Sequence, residues 1–344
     1  MFSICIPNYN YEQYLGITLE TIFAQQEQDF EVVLADNQST DSSVAIMEDF
    51  AKRYPGQVRY QINPANLGFA GNLDEAGRLA ERKYMLMLSS DDTIGQAALA
   101  RYRQLLGLLP NPGQAIITSA KDVIDSDGKH LSTELAADMA RPLWRAEDKD
   151  EALSEAMGVP VYSVEAKEML SRCFTYQANP FNFLCTLYPR SLYQQVGGYS
   201  GSRLMNPDKW FHWKLTAAAE RVYFVDEPLF QYRWHANNQT AQQANSGHLK
   251  FLVDEYRSTM EVKPMLDGIG WSEKDFRKRF VHWVIVRHGL GELRKGLWLK
   301  SWRILHFGLG VYPGPVIRNR AFLPYLILLG LGPIGKVLLR LIKG

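Results

Sequence analysis

The stretch whose reading decides the fold is YMLMLSSDDT, Tyr84–Thr93. Residues 84–88 read as a buried β-strand, and the run ends in two serines and two adjacent aspartates. Neighbouring carboxylates repel each other and are costly to bury unless something positive lies between them. A solvated loop tip tolerates Asp91 and Asp92; a divalent cation makes use of them.

Working outward, similar apolar, β-rich runs occur at 2–6 (FSICI), 31–35 (EVVLA), 58–62 (VRYQI) and 115–119 (AIITS). Helical patterns lie between them. Leu15, Leu19, Ile22, Phe23 and Gln26 share helical spacing, with Asn10 expected as the cap. STDSSVAIMEDFAKRYPG opens on capping residues and closes at Pro-Gly, and FAGNLDEAGRLAER supplies a third helix. The βαβαβαβ order predicts an α/β fold with a mostly parallel, doubly wound sheet. The pattern weakens over 121–180, and a second organised block runs from FNFLCTLYPRSLYQQVGGYS through YFVDEPLFQYRWH.

Ligands of open parallel sheets bind outside the carboxyl ends of the strands. Three strand ends are polar here: PNYN (Pro7–Asn10), DNQSTD (Asp36–Asp41) and SSDD (Ser89–Asp92). Each alone also reads as turn or helix-cap chemistry. Together, on one edge of a sheet, they suit a nucleotide and its metal. No strand leads into a G-x-G-x-x-G or Walker loop, which disfavours a dinucleotide dehydrogenase or a P-loop NTPase.

SICIPNYN, VVLADNQSTDSS, NPANLGFAGNLDEA and YMLMLSSDD resemble, in order and spacing, the nucleotide-binding half of family 2 glycosyltransferases of the GT-A fold. The resemblance continues through VGGYS (Val196–Ser200), MNPDKWFHWKL (Met205–Leu215) and YRWHANNQTA (Tyr232–Ala241), covering roughly residues 2–240. It implies a catalytic domain over 1–250, with a nucleotide half at 1–120 and an acceptor half at 121–250, followed by a helical region at 251–344.

The resemblance also implies roles. Pro7 matches the first-strand proline beside the nucleotide and Asp36 the acidic residue that bonds the base, with Asn37 where a second Asp is commoner. Asn66, Gly68 and Asn72 match a segment near the ribose and diphosphate. Asn8, Asn10, Ser90 and Asp92 complete the implied nucleotide-sugar set. Ser89 stands where the D-x-D pattern has its first carboxylate, leaving Asp91, with His235, to hold Mg²⁺ or Mn²⁺. Diphosphate and water can fill most of such an ion's coordination, so one carboxylate can suffice. Asp208 matches the catalytic base, although Pro207 replaces the usual Glu before it, and Asp208 also reads as a helix N-cap. Trp210, Trp213 and Trp234 read as either sugar platforms or core.

The expected reaction is inverting transfer from a nucleoside-diphosphate sugar to a glycan hydroxyl, the acceptor being polyprenyl-diphosphate-linked in surface-polysaccharide synthesis. The alternatives are a sugar-1-phosphate nucleotidyltransferase and a non-catalytic sugar-binding scaffold.

Composition supplies the remaining expectations. Of 344 residues, 46% are hydrophobic and 22% charged, as in a folded protein. Three scattered cysteines suit a reducing compartment, and no export signal is read at the N-terminus. The formal charge of +1 hides fourteen Lys/Arg against three Asp/Glu between Glu273 and Gly344. Ala321 to Gly335 is an uncharged apolar run broken by Pro324 and Pro333, too short to span a bilayer, with Arg318 and Arg320 before it and Lys336, Arg340 and Lys343 after it. This predicts peripheral or monotopic contact with the cytoplasmic face of the plasma membrane, and no nucleic-acid partner.

Overall fold

A computed structural model of the chain describes residues 1–138, 142–199, 207–236, 238 and 248–332. The chain divides into two compact units, one of residues 1–170 with 179–238 and one of 171–178 with 239–344.

The first unit is built on a sheet of ten strands. In chain order its elements are β1 (Phe2–Asn8), α1 (Glu12–Phe23), β2 (Phe30–Asp36), α2 (Ser43–Arg53), β3 (Val58–Ile62), α3 (Gly68–Arg78), β4 (Tyr84–Met87), β5 (Thr93–Ile94), α4 (Ala98–Leu108), β6 (Ala115–Ile124) and β7 (His130–Glu134). There follow α5 (Glu151–Met157), β8 (Val161–Glu165), α6 (Ala166–Tyr176), whose residues from 171 on belong to the second unit, β9 (Leu187–Pro189), α7 (Arg190–Val196), α8 (Pro207–Ala218) and β10 (Arg221–Arg233).

Every residue of β1 and β2 is buried, as in sheets covered on both faces. Phe2, Ile4 and Ile6 alternate with Ser3 and Cys5. The first set joins Leu15, Leu19 and Ile22 of α1, Met47 and Phe50 of α2, and Tyr102 and Leu105 of α4 in one core. Helix α3 packs on β1 and β2.

Register positions the site. β1 pairs in parallel with β2, bringing Asn8 opposite Asp36, and with β4 from Phe2↔Tyr84 to Cys5↔Met87. The carboxyl ends of β1, β2 and β4 therefore share an edge. Beyond β4 the chain crosses to β5, which pairs antiparallel with β10.

The sheet is mixed rather than mostly parallel. Its order is β3-β2-β1-β4-β9-β6-β10-β5, and β9 runs antiparallel to both β4 and β6. β4 and β6 are not neighbours. Three-residue β9, arriving from the second half of the unit, lies between them, and nothing local in LYP marks it as a strand. β10 pairs in parallel with β6, with register shifts on either side of Pro228, which has no N–H to give the ladder.

Asn10 does not cap α1. Its Oδ1 accepts the Thr40 N–H (2.8 Å). The start of α1 instead takes Asp41 Oδ2 on the Glu12 N–H (2.9 Å), and Glu12 Oε2 accepts the Ser42 N–H before α2 (2.7 Å). Asp41, in the turn before α2, serves both helix starts, because its Oδ1 also accepts the Ser43 N–H (3.0 Å).

The second unit is helical. Its described helices are His248–Ser258, Lys263–Ile269, Glu273–Phe280, a π-helical turn Val281–Arg287, and then His288–Arg294, Trp298–Val311, Pro313–Ile317 and Phe322–Gly330. Leu252, Phe280, Ile285, Leu293, Ile304, Leu305 and Tyr325 form its core. Among the described residues no helix is long and apolar enough to cross a membrane. Lys336, Arg340 and Lys343 lie outside the described residues.

Candidate active site

Three groups of polar side chains gather in the first unit. The first lies at the ends of β1 and β2. Asp36 is fully buried; its Oδ1 accepts Asn8 Nδ2 (3.0 Å) and Ser39 Oγ (2.6 Å), and its Oδ2 accepts the Ser39 N–H (2.9 Å). The Asn10 N–H, in left-handed backbone, donates to the same Ser39 hydroxyl (2.9 Å). Next to it an amide chain runs across the edge. Asn37 Nδ2 donates to Asn66 Oδ1 (2.9 Å), while Asn37 Oδ1 accepts the Leu67 N–H (2.8 Å). Asn63 Nδ2 donates to Asn72 Oδ1 (2.9 Å), and Asn72 Nδ2 to the Asn8 carbonyl (3.1 Å). Gly68, at φ 72°, lets the exposed Asn66 turn fold back on itself, its N–H meeting Asn66 Oδ1 at 2.9 Å. Asn63 was not anticipated from sequence.

The second group answers the question posed by Asp91 and Asp92. Ser90 Oγ donates to the Pro7 carbonyl (2.8 Å), which ties this loop to the end of β1. Asp91 Oδ2 lies 2.9 Å from His235 Nε2 and accepts Asn238 Nδ2 at 3.3 Å. Asp92 Oδ1 accepts the Arg233 N–H (2.9 Å). Burial, and then the charge of Asp91, push Asp92 well above the usual carboxylate range. The buried Arg233 side chain is committed to backbone: its Nε donates to the Asp91 carbonyl (2.8 Å) and its Nη1 to the carbonyls of Asp125 and Ser126, both at 3.3 Å. The His235 ring packs 4.8 Å from Tyr14. Neither aspartate caps α4, which begins at Ala98. Ser89 is half-buried beside them.

The third group centres on Asp208, in the first turn of α8. Burial raises its carboxyl above the ordinary range. Asn179 Nδ2 donates to Asp208 Oδ2 (3.2 Å), and Asn179 Oδ1 lies 2.9 Å from His212 Nδ1. Burial lowers His212 to about 3, so it is neutral and its Nδ1–H orients the Asn179 amide. His212 follows Asp208 by four residues, a helical spacing that flags it in the sequence; Asn179 gives no such signal. Trp210 and Trp213 are buried, and Trp234 is exposed.

A further network holds α8 to α3. Lys214 Nζ donates to the carbonyls of Val196 (3.0 Å) and Gly198 (2.7 Å), and Asp74 Oδ1 accepts the Tyr199 N–H (2.7 Å). Gly198 sits at φ 62°, and a Cβ there would lie 2.5 Å from Asp74 Oδ1. Ser200, Met205 and Asn206 lie outside the described residues.

The profile described as Glycosyl transferase family 2 matches residues 3–174, half of the chain. The chain belongs to glycosyltransferase family 2. Among curated relatives, the poly(ribitol-phosphate) beta-glucosyltransferase of Bacillus spizizenii is 33% identical over 102 residues, 29% of this chain and 16% of that protein. Abequosyltransferase RfbV of Salmonella typhimurium is 32% identical over 102 residues, 29% of this chain and 31% of its own length. The chain thus spans less than a third of these relatives. Among solved structures, residues 1–349 of S. aureus TarS in complex with UDP-GlcNAc superpose with a TM-score of 0.62 at 16% identity, covering 98% of this chain and 88% of that one. The mannosyltransferase PcManGT of Pyrobaculum calidifontis, in complex with GDP-Man and Mn²⁺, gives 0.53 at 14% identity, covering 97% and 86%. This family 2 member therefore has the GT-A fold of those enzymes.

Among its described residues no group of three or more His, Cys, Asp or Glu could hold a metal ion by itself. A cation bound chiefly by its substrate is a different case. Asp91 Oδ2 and His235 Nε2 lie 2.9 Å apart, and with that nitrogen unprotonated they would offer a cation two adjacent donor atoms. Such a set fits Mg²⁺ or Mn²⁺ when diphosphate oxygens and water complete the shell.

Proposed function

We propose that this family 2 glycosyltransferase moves a sugar, with inversion, from a nucleoside diphosphate to a hydroxyl of a glycan acceptor. The observation that carries the reading is the pairing of Asp91 with His235 and Asn238 beside the strand ends that hold the asparagine chain. A second carboxylate, Asp208, stands ready in the same unit.

The nucleoside lies along the β1 and β2 ends, against Pro7, Asn8, Asn10 and the Asn66–Asn72 segment. Asp36, bound by Asn8 and Ser39, shapes that floor. Ser89, Ser90 and Asp92 border the diphosphate. Asp91 and His235 would hold a divalent cation there, which supplies positive charge to the departing diphosphate. Asp208 accepts the proton of the acceptor hydroxyl as its oxygen bonds to the anomeric carbon. The bond from that carbon to the diphosphate breaks on the opposite face, its electron pair leaving with the nucleoside diphosphate. One displacement inverts the centre. The raised carboxyl of Asp208 makes it a better proton acceptor than an exposed aspartate, and Asn179 keeps its lone pairs aimed.

A relative named for poly(ribitol-phosphate) supports a polymeric glycan-type acceptor. That this acceptor is carried on polyprenyl diphosphate at the cytoplasmic face of the membrane is part of the proposal.

A screen of nucleotide sugars tests this, reading release of nucleoside diphosphate and the rise in melting temperature that a ligand of the native state causes. Asp208→Asn should keep donor affinity and lower kcat by about 10²-fold. Poor donor binding with normal turnover at saturation would make Asp208 a binding residue instead. If no nucleotide sugar is turned over or stabilises the fold, the scaffold reading replaces catalysis.

A further inference from the structure

Helix Phe322–Gly330 is apolar on both sides. Its inner side is anchored to Trp298–Val311: Tyr325 Oη donates to the Ser301 carbonyl (2.8 Å), and Trp298 Nε1 donates to the Leu329 carbonyl (2.7 Å). Its outer side places Leu323, Leu326, Ile327 and Gly330 at i, i+3, i+4 and i+7, all exposed, with Leu323 at 62% and Ile327 at 55%. The neighbouring helix Trp298–Val311 also exposes apolar side chains, Leu299 (62%) and Trp302 (44%). In a soluble helix such a stripe faces a core. Here two adjacent helices present it outward.

The stretch that carries the patch is basic. From Arg294 to Gly332 there are six Lys or Arg residues and no Asp or Glu, and of the six Lys295 and Lys300 pair with Glu292 just before the run. Arg303, Arg318 and Arg320 are exposed around the apolar stripe. This composition selects the occupant. An isologous dimer through the patch would bring arginines of one copy towards those of the other, a like-charge arrangement that interfaces avoid. An anionic bilayer accepts both components at once. The leucines and isoleucine enter the acyl boundary, Trp298 and Trp302 sit at headgroup level, and the arginines meet lipid phosphates.

We infer that the outer face of helices Trp298–Val311 and Phe322–Gly330 is a monotopic docking surface for an anionic lipid bilayer. It rests on exposure and charge within the second unit and is independent of the sugar-transfer reading.

The full-length chain is to be sedimented with phosphatidylcholine vesicles, with and without added phosphatidylglycerol, at low and high salt. The expected result is binding to the anionic vesicles that weakens with salt. Trp302→Ser, Leu323→Ser and Ile327→Ser together should weaken it at least about tenfold, since removing buried apolar side chains forfeits that much affinity. All three side chains are solvent-facing, so the melting temperature should hold. Arg303→Gln, Arg318→Gln and Arg320→Gln together should remove the preference for anionic vesicles. The inference is overturned if vesicles are not bound or if the apolar variant binds as well as the parent. It is equally overturned if binding depends on residues 333–344 alone, or if the apolar substitutions dissociate a dimer instead.

Discussion

Asp36 and Asp91 occupy equivalent places, each at the carboxyl end of a parallel strand on the same sheet edge. Their surroundings differ. Asp36 is enclosed by neutral donors, with both oxygens committed to Ser39 and Asn8. Asp91 shares one oxygen between an imidazole and an amide, beside a second carboxyl driven towards its neutral form. Topology puts carboxylates on this edge, and the donors around each decide whether it braces the loop or meets a ligand.

Substitutions can break this contrast. The largest effect is expected at Asp91: Asp91→Asn should lower sugar transfer by roughly 10³-fold, the scale of losing one organised electrostatic group in a water-poor site. Its melting temperature should stay near the parent's. A chelator should reproduce the loss in the parent and add little in the variant. Transfer that survives both treatments would leave Asp91 without a cation.

Asp36→Asn should do the reverse. The new amide places a donor against the Ser39 N–H, costing about 1–3 kcal/mol of stability for a buried group left unmatched. Chemical denaturation would show it. If stability holds while donor binding collapses, Asp36 reaches the nucleotide itself and the contrast dissolves.

Asn179→Ala probes the third carboxylate. Losing a donor to an already raised carboxyl raises it further, so kcat/KM should fall, as pH is lowered, from a higher starting pH than in the parent. The rate at neutral pH should drop by about tenfold or less. An unmoved acid limb would make the amide merely structural. Smallest of all, Ser89→Ala should cost no more than about threefold, the worth of one uncharged hydrogen bond.

Much of this was legible in the sequence. Strands at 2–6, 31–35, 58–62, 84–88 and 115–119 were visible because each is a short apolar run between polar turns, and all five form within a few residues of their expected ends, except that the last extends to Ile124. Their pairing was less visible. Nothing in LYP announces a strand that separates β4 from β6, because pairing partners are set by tertiary contacts rather than local pattern. The same limit applies to the site. Asp91 and His235 could be named from their motifs, and the structure sets them 2.9 Å apart across 144 residues of chain. Asn179, Asn238 and Arg233 act through hydrogen bonds, many of them to partners distant in sequence, which leave no periodicity to read.

The crossed caps between α1 and α2 constrain how this chain can change. Glu12 finishes α2 from within α1, while Asp41 serves both helix starts, so a substitution at Glu12 uncaps α2 and one at Asp41 weakens α1 and α2 together, at about 1 kcal/mol for each lost cap. Asp41 should therefore tolerate less drift than Glu12 among descendants of this chain. One short side chain in a turn ties two helix starts to a shared fate.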